Sequence, residues 1–585
     1  MCLGLCAAIV CAAPGVTGAD APLPAGRDVR RQAPKFAQFV DRYLDRFAKL
    51  HPSIAAGNGL HTYDGGLEDF SARAVAAEIR WLRAERRALD DFDPNWLTPD
   101  ERVDRRILQG IVDGWLLDLG TVRTWTRNPM IYVAAVSDGV HDLISMESAP
   151  PAVRVQRIED KLQGVPRLLA AARINVQSPP KVFVERAIAM LGGVADLLQH
   201  DVPLAFAAVD PAVRDALTKR TALAQAQLAA YQQYLEARVL PTASGSYRVG
   251  IANVEARYRA EELIDTPAAE LLKIGLRELA KEQAEFIETA AKVDASRSAA
   301  DVWRVVQDDH PARGQVVPAA SAVVDELFAF VAAHHLMSLP PNQHIIVAPA
   351  PAYDLGLASM HSSPPLEAQV LQSYYYITDA NADWSPERQS QWLRTFNYAT
   401  LADISAHEVV PGHYAHSLLM RDTPGKVRRI WVGLNPFPQP SSGQDGWAHY
   451  AERMVSEEGF KADDPRYRLA QINESIKRIC RLIAGIKLHG GEWDVQQATE
   501  LFEHEGRMPA ASAEREAVRG TYDPTYGGYF LGKMAAFKLR RDYQRAKGAE
   551  FSLQDFNERV MRDGIAPWWA HRQLLLPGDT GAVLE

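Results

Sequence analysis

Apolar residues recur at three- and four-residue steps along most of the chain, a spacing typical of helices with one buried face. The first clear example spans residues 35–50, where Phe36, Phe39, Tyr43 and Phe47 fall on one face. The same pattern predicts further helices at 71–91, 100–117, 152–175, 180–200 and 210–238. Residues 30–340 are therefore predicted to form an N-terminal helical scaffold.

Two later helices are predicted together with their buried faces. Thr266 and Pro267 are residue types preferred at a helix N-cap and first turn, so a long helix is expected to begin there. Its predicted buried positions are Leu272, Leu276, Leu279 and Phe286. A second long helix is predicted to bury Leu469, Ile472, Ile476, Ile479, Ile483 and Ile486. Both patterns indicate core helices.

The composition changes near residue 340, where the chain becomes rich in proline and serine as far as about residue 385. Two patches within this region, 344–347 and 373–378, have the β-branched and aromatic residues of strands. They predict a small sheet at the start of a second half, 341–585, of one continuous body. Residues 373–378 are interpreted as an edge strand that flanks a cleft and pairs with an extended substrate. The alternative is an ordinary small sheet packed beside helices.

The overall composition excludes two classes of protein. A net charge of −9 and a pI near 6.0 argue against nucleic acid as the main partner, because phosphate binding requires clustered positive charge. Three of the four cysteines lie within the first eleven residues, so no disulfide framework is expected. The oligomeric state does not follow from the sequence.

The amino-terminal segment predicts export. Residues 1–21 form a short apolar run that ends in Ala19-Asp20-Ala21, which is typical of signal-peptide cleavage sites, although a basic start is lacking. A periplasmic or secreted location is therefore expected, with a lipid anchor on Cys11 as the alternative. No later stretch is predicted to be long and apolar enough to span a membrane.

The segment 405–414 contains the most informative chemistry. His407 and His413 could bind Zn²⁺ through neutral imidazole nitrogens, and Glu408 could take and return the proton of an activated water. Six residues of a straight helix would separate the two histidines by about 120°. Pro411 and Gly412 are expected to break the helix between them, so that both imidazoles reach one metal ion.

A second helical segment offers the third ligand that such a zinc site needs. Asp445, His449 and Glu452 are four and three residues apart and share one face. Either carboxylate could bind the metal, and the other could accept a hydrogen bond from a ligand histidine. The alternative is an ordinary salt-bridged surface.

A glycine-rich segment at 522–533 leads into a further helix. Tyr526 or Tyr529 could donate a hydrogen bond to the oxyanion that forms when water attacks a carbonyl. An arginine of the helix, such as Arg540, could bind a substrate carboxylate through two parallel hydrogen bonds. A purely structural role for these tyrosines is the alternative.

Three of these segments resemble a known family. The sequences His-Glu-x-x-Pro-Gly-His at 407–413, Asp-Gly-Trp-Ala-x-Tyr-Ala-Glu at 445–452 and Tyr-x-x-Gly followed by Arg at 529–540 resemble the bacterial "domain of unknown function 885" family. Its members look like distant relatives of the gluzincin metallopeptidases, the clan of angiotensin-converting enzyme and thimet-type oligopeptidases. The resemblance extends over residues 35–576. It implies a mainly α fold, a large helical metallopeptidase-like body with a deep cleft and a small β-sheet near the active-site helix.

The resemblance also implies roles for individual residues. His407 and His413 would bind zinc, Glu408 would act as the base, and Tyr529 and Arg540 would match the closing motif. The family's third ligand is a glutamate, which is replaced here by the shorter Asp445. Asp445 must therefore approach the metal more closely, or Glu452 must serve instead. A family glutamine is also replaced by His416.

The sequence thus predicts an exported zinc-dependent metallopeptidase that cuts short peptides with a metal-activated water. Two alternatives remain open: a zinc amidase or esterase that acts on a non-peptide substrate, and a non-catalytic peptide- or ligand-binding protein with a degenerate metal site. The other histidines, among them His361, lack a carboxylate at helical spacing and are interpreted as ordinary surface or core residues.

Overall fold

The structure, a computed structural model, describes residues 29–341, 345–350, 357–430 and 441–585. The predicted signal peptide and Cys11 lie outside these residues. The N-terminal part is built from helices that pack pairwise around one apolar core, which includes Phe36, Leu108, Tyr132 and Leu198. These helices are α1 Val29–Leu50, α2 Pro52–Gly57, α3 Ala72–Asp90, α4 Pro99–Leu116, α5 Thr124–Arg127, α6 Met130–Ser145, α7 Pro151–Gln163, α8 Val165–Asn175, α9 Lys181–Asp196, α10 Val202–Ala205 and α11 Pro211–Tyr234.

A second apolar core begins with the helix that follows Gly250 and extends to the end of the chain. Its central helix, α20, buries all six apolar positions predicted for it, from Leu469 to Ile486. The helices around this core are α12 Ile251–Glu261, α13 Ala268–Val293, α14 Ala299–Asp308, α15 Val316–Ala333, α16 Pro386–Leu393, α17 Tyr398–Glu408, α18 His413–Leu419, α19 Asp445–Glu457, α20 Pro465–Gly490, α21 Val495–His504, α22 Ala510–Tyr522, α23 Gly528–Lys547, α24 Leu553–Arg562 and α25 Trp568–Leu575. The mainly α fold class is confirmed.

The small sheet has three strands, β1 Ile345–Pro349, β2 Ala358–His361 and β3 Ser373–Ile377, in the order β1-β3-β2. β3 pairs in parallel with β1 and antiparallel with β2. The interpretation of 373–378 as the edge strand was wrong, because β3 lies in the centre with Ser373, Tyr375 and Ile377 buried. The edge on the cavity side is β2, which the sequence pattern did not indicate.

One helix of the described residues, α15, is long and apolar enough to cross a membrane by length and composition alone. The sequence pattern did not predict such a stretch. Val316, Ala320, Leu327 and Val331 of α15 are buried in the second core, where α15 packs against α17 and β1. α15 thus contacts the rest of the chain through one face, and about 33% of its apolar stretch is buried.

A clasp of ion pairs joins the first half of the chain to the segment after β2. His61 Nδ1 lies 2.8 Å from Asp64 and its Nε2 lies 2.5 Å from Glu367. Arg157 donates to Asp64 from α7 at 2.9 Å. Burial alone would lower the pKa of His61, but the hydrogen bonds to both carboxylates raise it to about 9. His61 is therefore charged at neutral pH and holds the two segments together.

We expect His61→Gln to lower the free energy of unfolding by about 1–2 kcal/mol at pH 7, after allowance for solvent screening of this partly exposed group. The folded pKa exceeds the unfolded value of about 6.5, so the stabilisation is complete below that pH and is lost as pH rises through 9. Urea unfolding at pH 6, 7 and 9.5 measures this trend. His200→Gln, which removes an exposed pair with Asp196, is the matched control and should have little effect.

Candidate metal centre

The helix that carries the histidine motif is broken as the proline-glycine pair predicted. Helix α17 ends at Glu408 and α18 begins at His413, with four residues of non-helical chain between them. The Gly412 N–H donates to the Ala406 carbonyl at 3.1 Å, and the Trp447 indole donates to the Pro411 carbonyl at 3.0 Å. The bend is therefore fixed by hydrogen bonds, and it turns both histidines to the same side.

Gly412 is required at the bend for a steric reason. A Cβ added there would lie 1.7 Å from the His407 carbonyl oxygen and 2.6 Å from that of Ala406. Backbone atoms cannot give way as a side chain can, so any larger residue must open the bend. Glycine is thus required at position 412 by the path of the backbone, independently of any chemical role.

Gly412→Ala should destabilise the fold by about 2–4 kcal/mol and weaken zinc binding at least tenfold, because the displaced backbone carries both histidines. Thermal unfolding and zinc titration measure the two effects. Gly192→Ala in α9 is the control, since an added Cβ meets nothing within 4 Å there and helical alanine is favoured over glycine. Normal stability and normal zinc affinity in Gly412→Ala would contradict this steric account.

Three side chains converge beyond the bend. The Nε2 atoms of His407 and His413 lie 3.9 and 3.7 Å from Oδ1 of Asp445, the first residue of α19. The two rings are perpendicular, with centroids 4.7 Å apart. These separations are too long for hydrogen bonds but match ligands of one tetrahedral zinc ion, which lie about 3.4 Å apart. Asp445, despite being shorter than glutamate, reaches the position of a third ligand.

Glu452 lies on the other side of His407. Its Oε1 is 2.6 Å from His407 Nδ1, and its Oε2 is 2.9 Å from His449 Nδ1. Burial alone would raise the pKa of Glu452, but Arg478, His449 and His407 hold it well below its usual range. A charged Glu452 accepts a hydrogen bond from the Nδ1–H of His407, which leaves the Nε2 lone pair of His407 directed toward Asp445. Glu452 thus contacts the side of the His407 ring that faces away from Asp445.

The electrostatics of the group follow from close packing of acids and imidazoles. Burial would raise the pKa of Asp445, but His413 and His407 lower it. Burial would lower the pKa of His413, but Asp445 and Glu408 raise it. Burial raises the pKa of Glu408, and the two histidines offset this only in part. Among the described residues His413 Nδ1 has no hydrogen-bond partner. The donor set, two imidazoles and one carboxylate, suits zinc.

The group opens into a cavity of about 550 Å³ that is lined by both halves of the chain. Glu408 and Gln444 lie in its wall beside the three candidate ligands. The N-terminal half contributes residues of α2 and α6, and β2 contributes its whole length. The lining residues from these elements are Ser53, Ile54, Gly57, Asp138, His141, Asp142, Ala358, Ser359, Met360 and His361, and Met146 directly after α6 also lines the cavity. The sequence pattern indicated no site role for any of them and did not predict α6.

The two tyrosines of the glycine-rich segment have different positions. Tyr529 lies near Asp445 and accepts a hydrogen bond from Arg519 at 3.0 Å; burial raises its pKa, Arg519 opposes this, and Asp445 adds to it. Tyr526 is 1% exposed and packs in the core against Gly485 and Gly520. Neither belongs to the cavity lining. Tyr529 is thus within electrostatic range of Asp445, whereas Tyr526 lies in the core.

Arg540 is not brought to the metal centre. It lies eleven residues after Tyr529 on the same helix, which corresponds to roughly 16 Å along the axis. Its guanidinium donates to Glu458 at 3.1 Å, beyond the far end of α19 from Asp445. Glu458, rather than a substrate carboxylate, is therefore its partner.

His416 lies in the cavity wall, and its Nε2 is 3.1 Å from the Gly564 carbonyl. Burial lowers its pKa to about 3, so the imidazole is neutral and donates to that carbonyl. His416 ties α18 to the chain before α25 and leaves the three candidate ligands in place. The replacement of a family glutamine by this histidine is thus accommodated structurally.

The chain is similar in fold to two proteins of solved structure. In the structural comparison the chain is similar to a candidate lipoprotein of unknown function from Shewanella oneidensis, with a TM-score of 0.76 and 23% identity over 92% of this chain and 99% of that one. It is also similar to a candidate lipoprotein from Colwellia psychrerythraea, with a TM-score of 0.77 and 16% identity over 92% and 98% of the two chains. Comparison with curated proteins found no match. Residues 52–571 match the family described as "Bacterial protein of unknown function (DUF885)", so the chain belongs to the DUF885 family.

Proposed function

We propose that this protein is an exported zinc-dependent hydrolase that cleaves short peptides. The observation that carries the proposal is the convergence of His407, His413 and Asp445, whose ligand atoms all lie within 4.8 Å of one another at the wall of a cavity. Two histidines and one carboxylate, with space left for water, are the protein ligands typical of catalytic zinc.

Zinc bound by these side chains would activate water and polarise a substrate carbonyl as a Lewis acid. Glu408 follows the ligand His407 directly and lines the same cavity, so its carboxylate can take a proton from the attacking water and return it to the leaving group. Glu452 keeps His407 in the tautomer that offers Nε2 to the metal. Tyr529 remains a candidate donor to the developing oxyanion, through its proximity to Asp445.

A peptide substrate is favoured by the position of the sheet. β2 is an outer strand, and all of its residues line the cavity that contains the metal centre. An extended peptide can lie beside a sheet edge and form main-chain hydrogen bonds with it. This arrangement supports a peptidase over an amidase or esterase that acts on a compact substrate. The relation to gluzincin peptidases is part of the same proposal.

Export is supported by the apolar start of the sequence and by the similar chains from Shewanella oneidensis and Colwellia psychrerythraea, which are described as candidate lipoproteins. The proposal therefore includes a periplasmic or secreted location, with lipid anchoring as the alternative mode. Cell fractionation of the producing bacterium, with and without residues 1–21, tests this part.

The proposed activity is tested by metal analysis followed by a digest of a peptide library. Protein purified from zinc-containing medium should hold close to one zinc per chain and should cut short peptides, and a chelator should abolish cleavage. Metal-free protein that binds peptides without cutting them would support the non-catalytic alternative instead. Cleavage that persists after complete removal of the metal would also refute the proposal.

A further inference from the structure

The cavity has an unbalanced charge. Its lining contains four carboxylates, Asp138, Asp142, Glu408 and Asp445, and among the described lining residues it contains no lysine or arginine. Glu408 and Asp445 belong to the metal centre, where zinc would neutralise part of their charge. Asp138 and Asp142 lie on α6, in the wall that the N-terminal half supplies. This second pair has no part in the proposed reaction.

The α6 pair is unusual in its surroundings. The two aspartates are one helical turn apart in a helix whose other residues are mostly apolar and buried. Ser137 donates to Asp138 at 2.8 Å, and no described residue donates a hydrogen bond to the carboxylate of Asp142. Lys161 lies nearby, but its Nζ donates to the Gly66 carbonyl at 2.8 Å. Burial raises the pKa of Asp138 to about 6, while burial and Asp138 raise that of Asp142 to about 8, so the pair carries about one negative charge at neutral pH. Among the described residues no lysine or arginine donates a hydrogen bond to either carboxylate, although Lys161 and His61 lie close enough to lower the pKa of Asp142 in part.

Two rings of the same wall, His141 and His361, begin a row of aromatic side chains that continues beyond the cavity lining. The ring of His141, between the two aspartates, lies 5.1 Å from that of His361 on β2. His361 lies 5.0 Å from Tyr376, which stacks on Tyr374 at 5.3 Å. The row therefore runs from the acidic pair across the sheet. Aromatic faces together with carboxylates favour cationic groups and disfavour anions.

We propose that Asp138 and Asp142 form a subsite that receives a cationic nitrogen group of the substrate, either a basic side chain or a free α-amino group. The inference rests on the proposed peptidase function and specifies its substrate class. The carboxylates of the subsite and the metal centre line one continuous cavity, so a single short peptide can occupy both. The sequence suggested that Arg540 binds a carboxylate of the substrate. The subsite would instead recognise a positively charged group of the substrate.

The test uses the full chain loaded with zinc and matched pairs of alanine-based hexapeptides. One arm compares lysine with norleucine at successive positions, and the other compares a free with an acetylated amino terminus. We expect kcat/KM to be at least tenfold higher for the cationic member in one arm, which identifies the source of the charge. That ratio should fall at least fivefold in Asp138→Asn, in Asp142→Asn and in the double variant.

Asp215→Asn is the matched control, because it makes the same chemical change at an exposed position of α11 and should leave the ratio unaltered. Equal rates within every pair for the wild-type protein would overturn the subsite, and so would a ratio that survives in the double variant. The peptide comparison on the wild-type protein decides the question even where a variant does not fold.

Calorimetric titration of the same peptides into the Glu408→Gln protein separates this inference from the proposed function. At least tenfold tighter binding of the cationic member, without hydrolysis by the wild-type protein, would retain the subsite and reject the peptidase. Hydrolysis with no preference for charge would retain the peptidase and reject the subsite.

Discussion

Glu408→Gln is expected to retain about one zinc per chain and to lose at least two powers of ten in kcat. Glutamine has the size and shape of glutamate, so the bend and the ligands should be preserved. It cannot accept a proton, and loss of a general base typically costs 10²–10⁴ in rate. The Glu408 side chain lies in the cavity wall next to the candidate ligand His407. None of the other described carboxylates that line the cavity directly follows or precedes a candidate ligand in the sequence.

The measurement combines zinc content with kcat on the best peptide found in the library digest. Glu500→Gln on α21 is the control, because its side chain is exposed and lies outside the cavity lining. It should match the wild type in both quantities. A Glu408→Gln protein that cleaves at the wild-type rate would remove Glu408 from the mechanism, whereas loss of zinc in this variant would instead make Glu408 part of the metal site.

Asp445→Ala is expected to weaken zinc binding by at least a factor of about 10³, and Glu452→Ala by a smaller factor of about 10–100. Asp445 Oδ1 faces both imidazole Nε2 atoms, so its removal deletes one of three protein ligands. Glu452 acts through the tautomer and orientation of His407, and loss of such an outer partner typically costs 10–100-fold in affinity.

Competition with a zinc chelator of known affinity measures both constants. The order of the two effects decides between the carboxylates, because a larger loss in Glu452→Ala would assign the third ligand to Glu452. Asp445→Glu adds a second comparison, since it restores the residue that the family resemblance predicts at this position. If Asp445 is a ligand, this variant should recover most of the affinity that alanine loses.

The sequence predicted the parts of the fold that depend on local periodicity. The stripe on α20 was predicted correctly because every apolar position in it follows one face, and all six are at most 3% exposed. The break between α17 and α18 was equally predictable, since proline and glycine act on the backbone wherever they occur. The break allowed His407 and His413 to be predicted as ligands of one metal ion. The helix face shared by Asp445 and Glu452 supplied the two candidates for the third ligand.

The buried face of α13 was predicted only in part. Leu279 and Phe286 are buried, but Leu276 is 48% exposed and Leu271 takes the buried position instead. The helix has leucines on two neighbouring faces, and its periodicity fits both. The contact with α20, where Gly275 packs against Leu482 and Ile483, selects one of them. The choice depends on the partner helix and could not be made from α13 alone.

The part of the cavity wall supplied by α2, α6 and β2 was not predicted. These elements are distant in sequence from the histidine motif, and only the tertiary fold brings them to the candidate metal centre. Asp138 and Asp142 did leave a signal: two carboxylates one turn apart in an otherwise apolar run. Strand β2 left none, since four residues carry no reliable period. Arg540 shows the reverse case, because a plausible residue type at a matching position proved to have Glu458 as its partner.

The cavity draws its metal-facing residues from positions 407–445 and most of its remaining wall from α2, α6 and β2. In the proposed peptidase, the catalytic residues and most residues that would set selectivity are therefore encoded in separate stretches of the gene. Changes within residues 53–146 would alter the part of the cavity wall that α2 and α6 supply and would leave the motif and β2 intact. A chimera that exchanges this stretch between two members would be expected to inherit the substrate preference of one parent and the reactivity of the other.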